Sequence, residues 1–438
     1  MKGIEERIEN TDRALHAFRD LQTRLGIPAS ELAKAKADVN ARLAEIQKEL
    51  DRDLAAFYGA QDIKQFVQTH QPFHWLVEFY SIMKNGGFDV IIGNPPYVEY
   101  SKVKNDYTIR SYKTESCGNL YAFMTERSLA LLQPDGRFGM IVPTSSISTE
   151  RMRSLQSILL NIGLIHATFG FRPAKLFEGA TSTNLHLSIV LAGSSIGSNP
   201  LALHHVKWNA DFRPYLFECL PQYTRTDNEI LEHSRKIPRL ANSVHLSVLH
   251  KLSKKAAAKR NFAHTNNNVY YRTTGGLHYR VFTMFPTASR KEAIISFDTH
   301  THANIAFCMY ASNLWNMFYY TFSNCLDIAR YEIDEFPIGL DRMAESLQQN
   351  LVAIAEKLEQ DIRKHAQIQV RHYHDEGDVD CYTIEMRESK PIIDEIDRVL
   401  AKHYGFTEEE LDFIIGSCVL RQALKEIRAK ISIPFHVM

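Results

Sequence analysis

The sequence predicts an α/β fold with a largely parallel sheet and helical segments toward both ends of the chain. Between residues 71 and 195, apolar strand-like runs alternate with amphipathic stretches of helical length. Residues 88–92 are almost continuously apolar, as in a central strand that helices cover on both faces. Residues 1–70, and those after 341, instead repeat apolar side chains every three to four positions, which indicates helices.

Composition narrows the class of protein. A chain of 438 residues is long enough for two or three domains, and its 45% hydrophobic and 23% charged residues indicate a globular rather than a disordered protein. The net charge is zero, from 51 basic and 51 acidic residues, which neither supports nor excludes a nucleic-acid partner.

The cysteines and the amino terminus bear on localisation. The six cysteines are scattered without a CxxC pair, so we expect reduced thiols in a cytoplasmic protein and no metal site. No signal-like core or membrane-length apolar stretch is visible, so we expect neither export nor membrane insertion.

One apolar stripe marks a long helix near the amino terminus. Ser30 is the predicted N-cap, and the stripe predicts a helix that packs on its neighbours or forms a short coiled hairpin, rather than a catalytic element. The stripe consists of Leu32, Val39, Leu43, Ile46, Leu50 and Phe57.

The segment 71–195 carries the predicted sheet. We expect a helix over 119–132, a Pro-Asp-Gly turn at 134–136 and strands over 137–142, near 163–170 and at 185–191. The stretch 190–200 has the glycines of a nucleotide-binding loop, but Pro200 and its polar neighbours leave no helix to hold a phosphate. A linker at a domain boundary is therefore favoured.

Residues 200–340 are rich in aromatic and basic side chains. Basic groups among aromatic rings suit contact with nucleic acid, although an ordinary solvated loop competes with this interpretation. The candidate DNA-binding residues are Lys254, Lys255, Lys259, Arg260, Arg272 and Arg280, interleaved with Tyr270, Tyr271, His278 and Tyr279.

The region after residue 341 contains one group that resembles a metal site. His372, His374 and Asp375 stand close together in a stretch that also holds Gly377 and Asp378. A solvated loop is the favoured interpretation.

The stretch GNPPYV, residues 93–98, follows the strand predicted at 88–92. Pro95 and Pro96 have no backbone N–H to give to a sheet, so they hold Asn94 and Tyr97 in a stiff loop. That loop lies at the carboxyl end of a strand, where open α/β sheets bind ligands.

This loop can act on an aromatic amine. The Asn94 carboxamide oxygen and the Pro95 carbonyl are two acceptors that can converge on one exocyclic amine, while Tyr97 stacks on the ring. The target base must then leave its duplex, and Phe177 is a candidate for the opposite wall. A proline-rich turn with a packed tyrosine is the structural alternative, which the neighbouring segments disfavour.

Three segments, 73–98, 118–148 and 175–193, strongly resemble adenine-specific DNA methyltransferases, above all those of combined restriction and modification enzymes. The resemblance covers roughly residues 40–340. It implies a partial class I, Rossmann-like sheet and S-adenosyl-L-methionine as methyl donor. It also implies that Asn94 and Pro95 bind the amine, within a loop that includes Pro96, and that Tyr97 and Phe177 contact the flipped base.

The resemblance also implies a domain division. We expect a helical segment at 1–70, the catalytic portion at 71–195, an α+β target-recognition domain at 196–340 that binds double-stranded DNA, and a helical region at 341–438. Residues 391–415 resemble the helical end of such enzymes, whereas the last residues do not match it.

The family's cofactor pocket has no counterpart in this sequence. Residues 1–93 lack both its glycine-rich turn and its acidic residue, no substitute follows downstream, and no nuclease motif is present. We therefore expect the carboxyl-terminal part of a larger methyltransferase: a split-gene subunit, a truncated homologue or an expressed fragment.

Two functions follow from this expectation. One is an enzyme component whose methyl-donor pocket comes from a partner chain, which could also carry a nuclease. The other is a non-catalytic DNA-binding or specificity module. An exposed sheet edge beside the strand that leads to Asn94 would favour the first.

Overall fold

The computed structural model describes most of the chain. The described residues are 2–106, 108–170, 174–177, 185–206, 208, 210–218, 220, 222–234, 236–274, 280–375 and 377–416. They form two compact units. The first comprises Met1–Ile91, Val103–Ile109 and Ala130–Gly136, and the second comprises Ile92–Lys102, Arg110–Leu129 and Arg137–Met438.

The first unit is mainly helical, as predicted. Val39 and Ile46 of the predicted stripe are buried, whereas Phe57 at its end is exposed. Because the second helix already begins after Pro28, Ser30 lies inside it and is not its N-cap. The helices are α1 (Lys2–Thr23), α2 (Ala29–Phe57), α3 (Ile63–His70), α4 (Trp75–Glu78) and α5 (Tyr80–Lys84).

A six-stranded sheet follows, in the order β1-β2-β4-β3-β5-β6. Its strands are β1 (Phe88–Gly93), β2 (Leu132–Pro143), β3 (Leu164–Phe169), β4 (Leu187–Ala192), β5 (Leu201–Val206) and β6 (Thr224–Arg225). Three helices lie between these strands in sequence: α6 (Leu120–Leu131), α7 (Ser145–Ser148) and α8 (Arg153–Ile162).

The predicted elements are present, but the largely parallel sheet is wrong. β4 pairs antiparallel with both β2 and β3, and only β3 and β5 pair in parallel among the pairings resolved. An antiparallel return needs no crossover helix, so the alternation of apolar runs could not reveal strand direction. β2 also begins earlier than predicted, so the Pro-Asp-Gly stretch lies within its bounds.

The predicted central position of β1 is also wrong, because β1 is an edge strand of this sheet. Val90 is 55% exposed and Ile92 is 78% exposed. Residues 2–87 are all described and form helices and turns, so no strand precedes β1 to pair with its outer edge.

One extensive apolar core joins the rest of the second unit, with buried residues from Ala202 to Ile414. A three-stranded sheet contributes to it, in the order β8-β7-β9. The elements are α9 (Asn228–Ser234), α10 (Ser243–Ser253), β7 (Phe262–Arg272), β8 (Phe282–Thr283), β9 (Glu292–Phe297), α11 (His300–Ala311), α12 (Asn313–Phe322) and α13 (Arg330–Glu335).

The carboxyl-terminal region is helical apart from one hairpin. Its elements are α14 (Glu345–His365), β10 (Gln367–Tyr373), β11 (Gly377–Thr383), α15 (Lys390–Tyr404) and α16 (Glu408–Gly416). The solvated loop predicted around His372, His374 and Asp375 is wrong for His372, which pairs with Asp378 across the hairpin, whereas His374 and Asp375 lie exposed in its turn. Among the described residues, no helix is long and apolar enough to cross a membrane.

Candidate active site

The NPPY loop directly follows β1. Asn94 and Pro96 are exposed, Pro95 is buried and Tyr97 is partly buried. The buried proline anchors the middle of the loop, while the amide before it remains open to solvent. The loop therefore presents Asn94 at the end of β1, as the sequence predicts.

The Tyr97 hydroxyl ties this loop to the sheet. It lies 2.6 Å from the Asn94 Oδ1 atom and 3.0 Å from the Ile141 carbonyl oxygen of β2. Burial raises the pKa of Tyr97 to about 12, so the hydroxyl keeps its proton at neutral pH and can donate it to either acceptor. Asn94, Tyr97 and β2 thus form one hydrogen-bonded group.

The chain beyond Tyr97 is fixed by a second group of polar contacts. The Glu99 carboxylate accepts hydrogen bonds from Arg151 Nη2 at 2.7 Å and from Asn119 Nδ2 at 3.2 Å. Burial opposes ionisation of Glu99, but these two hydrogen bonds prevail and lower its pKa. No local pattern in the sequence indicates this contact, because Arg151 lies 52 positions after Glu99.

Backbone hydrogen bonds complete the support of the loop. The Leu120 N–H donates to the Val98 carbonyl at 3.0 Å, and the Tyr100 N–H donates to the Gly118 carbonyl at 2.9 Å. The buried Tyr121 ring stands edge-on to Tyr97, with 6.4 Å between the ring centroids. The start of α6 therefore holds the loop from behind.

Phe177 is 39% exposed. The residues on both sides of it, 171–173 and 178–184, lie outside the described part of the chain, so its place on the far wall stays a prediction.

The six predicted DNA-binding residues divide by burial. Lys254, Lys259 and Arg260 are exposed, and Arg272 is partly buried. His278 and Tyr279, which the sequence places among these basic residues, lie outside the described part of the chain.

Two of the six make internal contacts instead. Lys255 donates to the His403 carbonyl at 2.8 Å. Arg280 is buried and donates to the Tyr319 hydroxyl at 2.6 Å and to the Cys325 carbonyl at 3.1 Å. These contacts give both side chains a structural role.

A cavity of about 470 Å³ lies between the segment after β2 and residues 230–337. Glu150 and Arg153 line one side, and Lys236, Lys259 and Phe318 are among the residues on the other. Lys236 is paired with Glu335 at 2.7 Å and Arg153 with Glu150 at 3.1 Å, which leaves Lys259 as a cation with no ion pair within the described residues.

Residues 2–87 do not fit a cofactor pocket of the strand–turn–helix type. Such a pocket needs a strand before its glycine-rich turn, and residues 2–87 contain none. No group of three or more metal-ligating side chains occurs in the described parts of the chain either.

A comparison with known protein families matches the segment that holds this loop. Residues 17–177, which include the NPPY loop and its support, match the profile of the Eco57I restriction-modification methylase family. The predicted resemblance to restriction-modification methylases is confirmed. The match begins before residue 40, where we expected the resemblance to begin, and ends well before residue 340.

Two methylase relatives overlap only a short part of this chain. One relative is RM.MjaORFECS2P of Methanocaldococcus jannaschii, named as a type II restriction enzyme and methyltransferase. It is 32% identical to this chain over 114 residues, which are 26% of this chain and 10% of that protein. The type II methyltransferase M.HincII of Haemophilus influenzae is 29% identical over 104 residues, 22% of this chain and 20% of that protein. The chain thus matches a fifth or less of either relative's length.

A solved restriction-modification structure covers more of the chain. The type IIL enzyme MmeI, in complex with DNA, aligns with 82% of this chain and 59% of its own, at 10% identity and a TM-score of 0.43.

Proposed function

We propose that this chain supplies the target-base and DNA-recognition part of a DNA adenine-N6 methyltransferase, within a restriction-modification or related defence system. The observation that supports this most is the contact between Tyr97 and Asn94, which holds an amide acceptor beside an aromatic ring at the end of β1. That pair of groups suits a base that carries an exocyclic amine.

Each residue of the loop has a defined task in this proposal. The Asn94 Oδ1 atom and the Pro95 carbonyl accept the two hydrogens of the adenine amine, which directs its nitrogen lone pair toward the methyl donor. Pro96 fixes the direction of the Pro95 carbonyl, and the Tyr97 ring stacks on the base. Phe177 is the proposed second stacking surface.

The base must be outside its duplex to reach this loop, so the proposal includes base flipping. Lys254, Lys259, Arg260 and Arg272 are the proposed contacts to DNA, and at least the first three are open to solvent. Cations of this kind bind phosphates regardless of sequence and position the duplex.

S-adenosyl-L-methionine is the proposed methyl donor, held by a second chain or by a segment outside this sequence. An apolar strip lies on one sheet face around Gly139, formed by Ile92 and by Leu191, which is 39% exposed. Both side chains are close to Gly139: a Cβ atom there would lie 3.4 Å from Ile92 and 3.1 Å from Leu191. The free edge of β1 and this apolar strip are where we place the partner. The exposed edge favours the enzyme component over the non-catalytic module.

A methyl-transfer assay tests the proposal. The chain is expressed with the products of its neighbouring genes, and incorporation of tritium from labelled S-adenosyl-L-methionine into DNA is measured. We expect Asn94→Ala to abolish incorporation while DNA affinity stays nearly unchanged, and Asn85→Ala, at another exposed asparagine, to be active. Methyl transfer by the Asn94→Ala variant at the level of the unmodified chain would overturn the catalytic assignment.

Calorimetry tests the location of the cofactor. The isolated chain should bind S-adenosyl-L-methionine poorly, because the adenosine and ribose ends find no specified partners. Micromolar binding by the chain alone would refute a pocket supplied from elsewhere.

A further inference from the structure

The β10–β11 hairpin presents an exposed strand that the proposed function does not use. The first four residues of β10, Gln367 to Val370, are all exposed. Ile368 is 60% exposed and Val370 is 64% exposed, and Tyr382, opposite Ile368, is 38% exposed. These three side chains share one face of the hairpin, because residues directly opposite each other point the same way.

The other face of the hairpin and the outer edge of β11 contact the rest of the second unit. Cys381 is buried, with its Sγ atom 3.1 Å from the Ala288 carbonyl, and the Tyr382 N–H donates to the Thr287 carbonyl at 3.0 Å. The Arg290 guanidinium lies 4.2 Å from the centre of the Tyr373 ring. These contacts hold the hairpin in place while the first residues of β10 stay exposed.

The outer edge of β10 is open. Within the described residues, β10 makes backbone ladder contacts with β11 alone, whereas β11 also bonds to Thr287. Soluble proteins protect such edges with charged side chains, above all lysine, with proline or with a bulge. β10, with the sequence QIQVRHY, has no lysine, proline or bulge in its register with β11, and its arginine, Arg371, lies after the four exposed residues 367–370. An open edge with two exposed aliphatic side chains is suited to strand addition.

The sequence of β10 is complementary to itself. When two copies pair antiparallel about Gln369, Ile368 of one faces Val370 of the other, and Gln367 faces Arg371. The apolar side chains then form a continuous strip with Tyr382, and no like charges stand opposite each other. A shift by one residue would place apolar side chains opposite polar ones on the wrong face.

The charge of the hairpin argues against DNA as the occupant of this edge. Asp378 and Asp380 lie on the same face as Ile368 and Val370, whereas Asp375 at the turn is paired with Arg290. Carboxylates beside the edge would repel phosphates. Two copies of the chain meet no such penalty in the register about Gln369.

We propose that the chain forms a two-fold symmetric dimer in which the β10 strands of two copies pair antiparallel about Gln369, joining two hairpins into one four-stranded sheet. A closed two-fold contact of this kind uses the same surface on both copies. Four strands with an apolar face are also more stable than an isolated two-stranded hairpin.

Sedimentation of the full chain tests the dimer. We expect the unmodified chain to sediment with twice the mass of one chain at micromolar concentration. In the Val370→Lys variant the dissociation constant of the dimer should rise roughly tenfold or more, because two ammonium groups enter the apolar strip. Ile294→Lys is the matched control, since Ile294 is 49% exposed on β9 and should leave the dimer intact. A monomer throughout the micromolar range, or a dimer that Val370→Lys leaves unchanged, overturns the proposal.

Cross-linking tests the register. Cys381 stands opposite Gln369 within the same hairpin, so the variant Gln369→Cys is made together with Cys381→Ser. It should form a disulfide between copies under mild oxidation, at a level well above the Cys381→Ser chain alone, because the two cysteines at position 369 would stand opposite each other. Gln367→Cys should cross-link far less, because its opposite residue is Arg371. Equal cross-linking of the two variants would refute this register.

Discussion

The Tyr97 hydroxyl lies 2.6 Å from the Asn94 Oδ1 atom, so a hydrogen bond joins the two side chains that we assign to the target base. A carboxamide oxygen has two acceptor positions and can bind the hydroxyl and an amine hydrogen together. The contact therefore orients Asn94 without blocking its proposed partner.

This contact predicts a graded effect of changes at Tyr97. Tyr97→Phe retains the stacking ring and loses one hydrogen bond, worth roughly 0.5 to 1.5 kcal/mol, so methyl transfer should fall about tenfold at most. Tyr97→Ala also loses base stacking, worth roughly 1 to 3 kcal/mol, and should fall much further. Single-turnover rates compare them, and equal losses would show that the ring does not stack.

The Glu99–Arg151 contact predicts a pH-dependent contribution to stability. The pKa of Glu99 is lowered in the folded state, so the contribution exists above its ordinary pKa of 4.5 and is lost as pH falls through the folded value. Both side chains are 40% or more exposed, so Glu99→Gln should cost under about 1 kcal/mol at neutral pH.

Urea denaturation of the Glu99→Gln variant and the unmodified chain measures this difference. The two stabilities should converge in acid. A difference that persists there would show that the carboxylate charge is not what Arg151 recognises.

The buried carboxyl group of Asp397 should make the stability of the fold depend on pH in the opposite direction. Burial raises its pKa to about 7, against hydrogen bonds from Asn313 and from the Leu314 N–H. The unfolded chain releases this proton near pH 3.8 and the folded chain near 7, so this group's contribution to stability falls as pH rises between those values. Asp397→Asn removes the titration, and its stability should depend less on pH across that range.

Urea denaturation at several pH values checks this prediction. Glu332, whose pKa burial also raises to about 7, would still titrate in the Asp397→Asn variant. If Asp397→Asn leaves the pH dependence of the unfolding free energy unchanged, Asp397 stays ionised throughout this range.

Lys259 and Arg280 should separate DNA binding from folding. Lys259→Ala removes an exposed cation, so it should weaken DNA binding and reduce the salt slope by about 1, while stability changes by roughly 0.5 kcal/mol or less. Arg280→Ala leaves buried acceptors unpaired and should cost roughly 1 to 3 kcal/mol of stability. Fluorescence anisotropy at several salt concentrations measures DNA binding, and thermal unfolding measures stability. A loss of stability in Lys259→Ala, or a loss of DNA binding without loss of stability in Arg280→Ala, would contradict these roles.

The sequence predicted local features better than long-range ones. The NPPY loop was predictable because two prolines stop a strand wherever they occur, and the helices were predictable from their apolar spacing. The edge position of β1 was not, because a run of apolar residues looks alike in a central strand and in an edge strand. The burial of Arg280 depends on Tyr319, which lies 39 residues away and has no local signal.

The β10–β11 hairpin shows a different limit. Its alternating pattern, QIQVRHY, is a recognisable strand signal, but the cluster of histidine and acidic residues at its turn favoured a solvated loop. Contacts with Thr287 and Ala288, over 90 residues earlier, hold one face of the hairpin in place.

Nucleoside mass spectrometry tests the central claim most directly. DNA from a methylation-free bacterial host that expresses the chain with its neighbouring genes is digested and analysed for every methylated base. N6-methyladenine should accumulate with the unmodified chain and be absent with Asn94→Ala. Methylcytosine in its place, or N6-methyladenine that persists in the Asn94→Ala variant, would contradict the assignment of this loop to adenine.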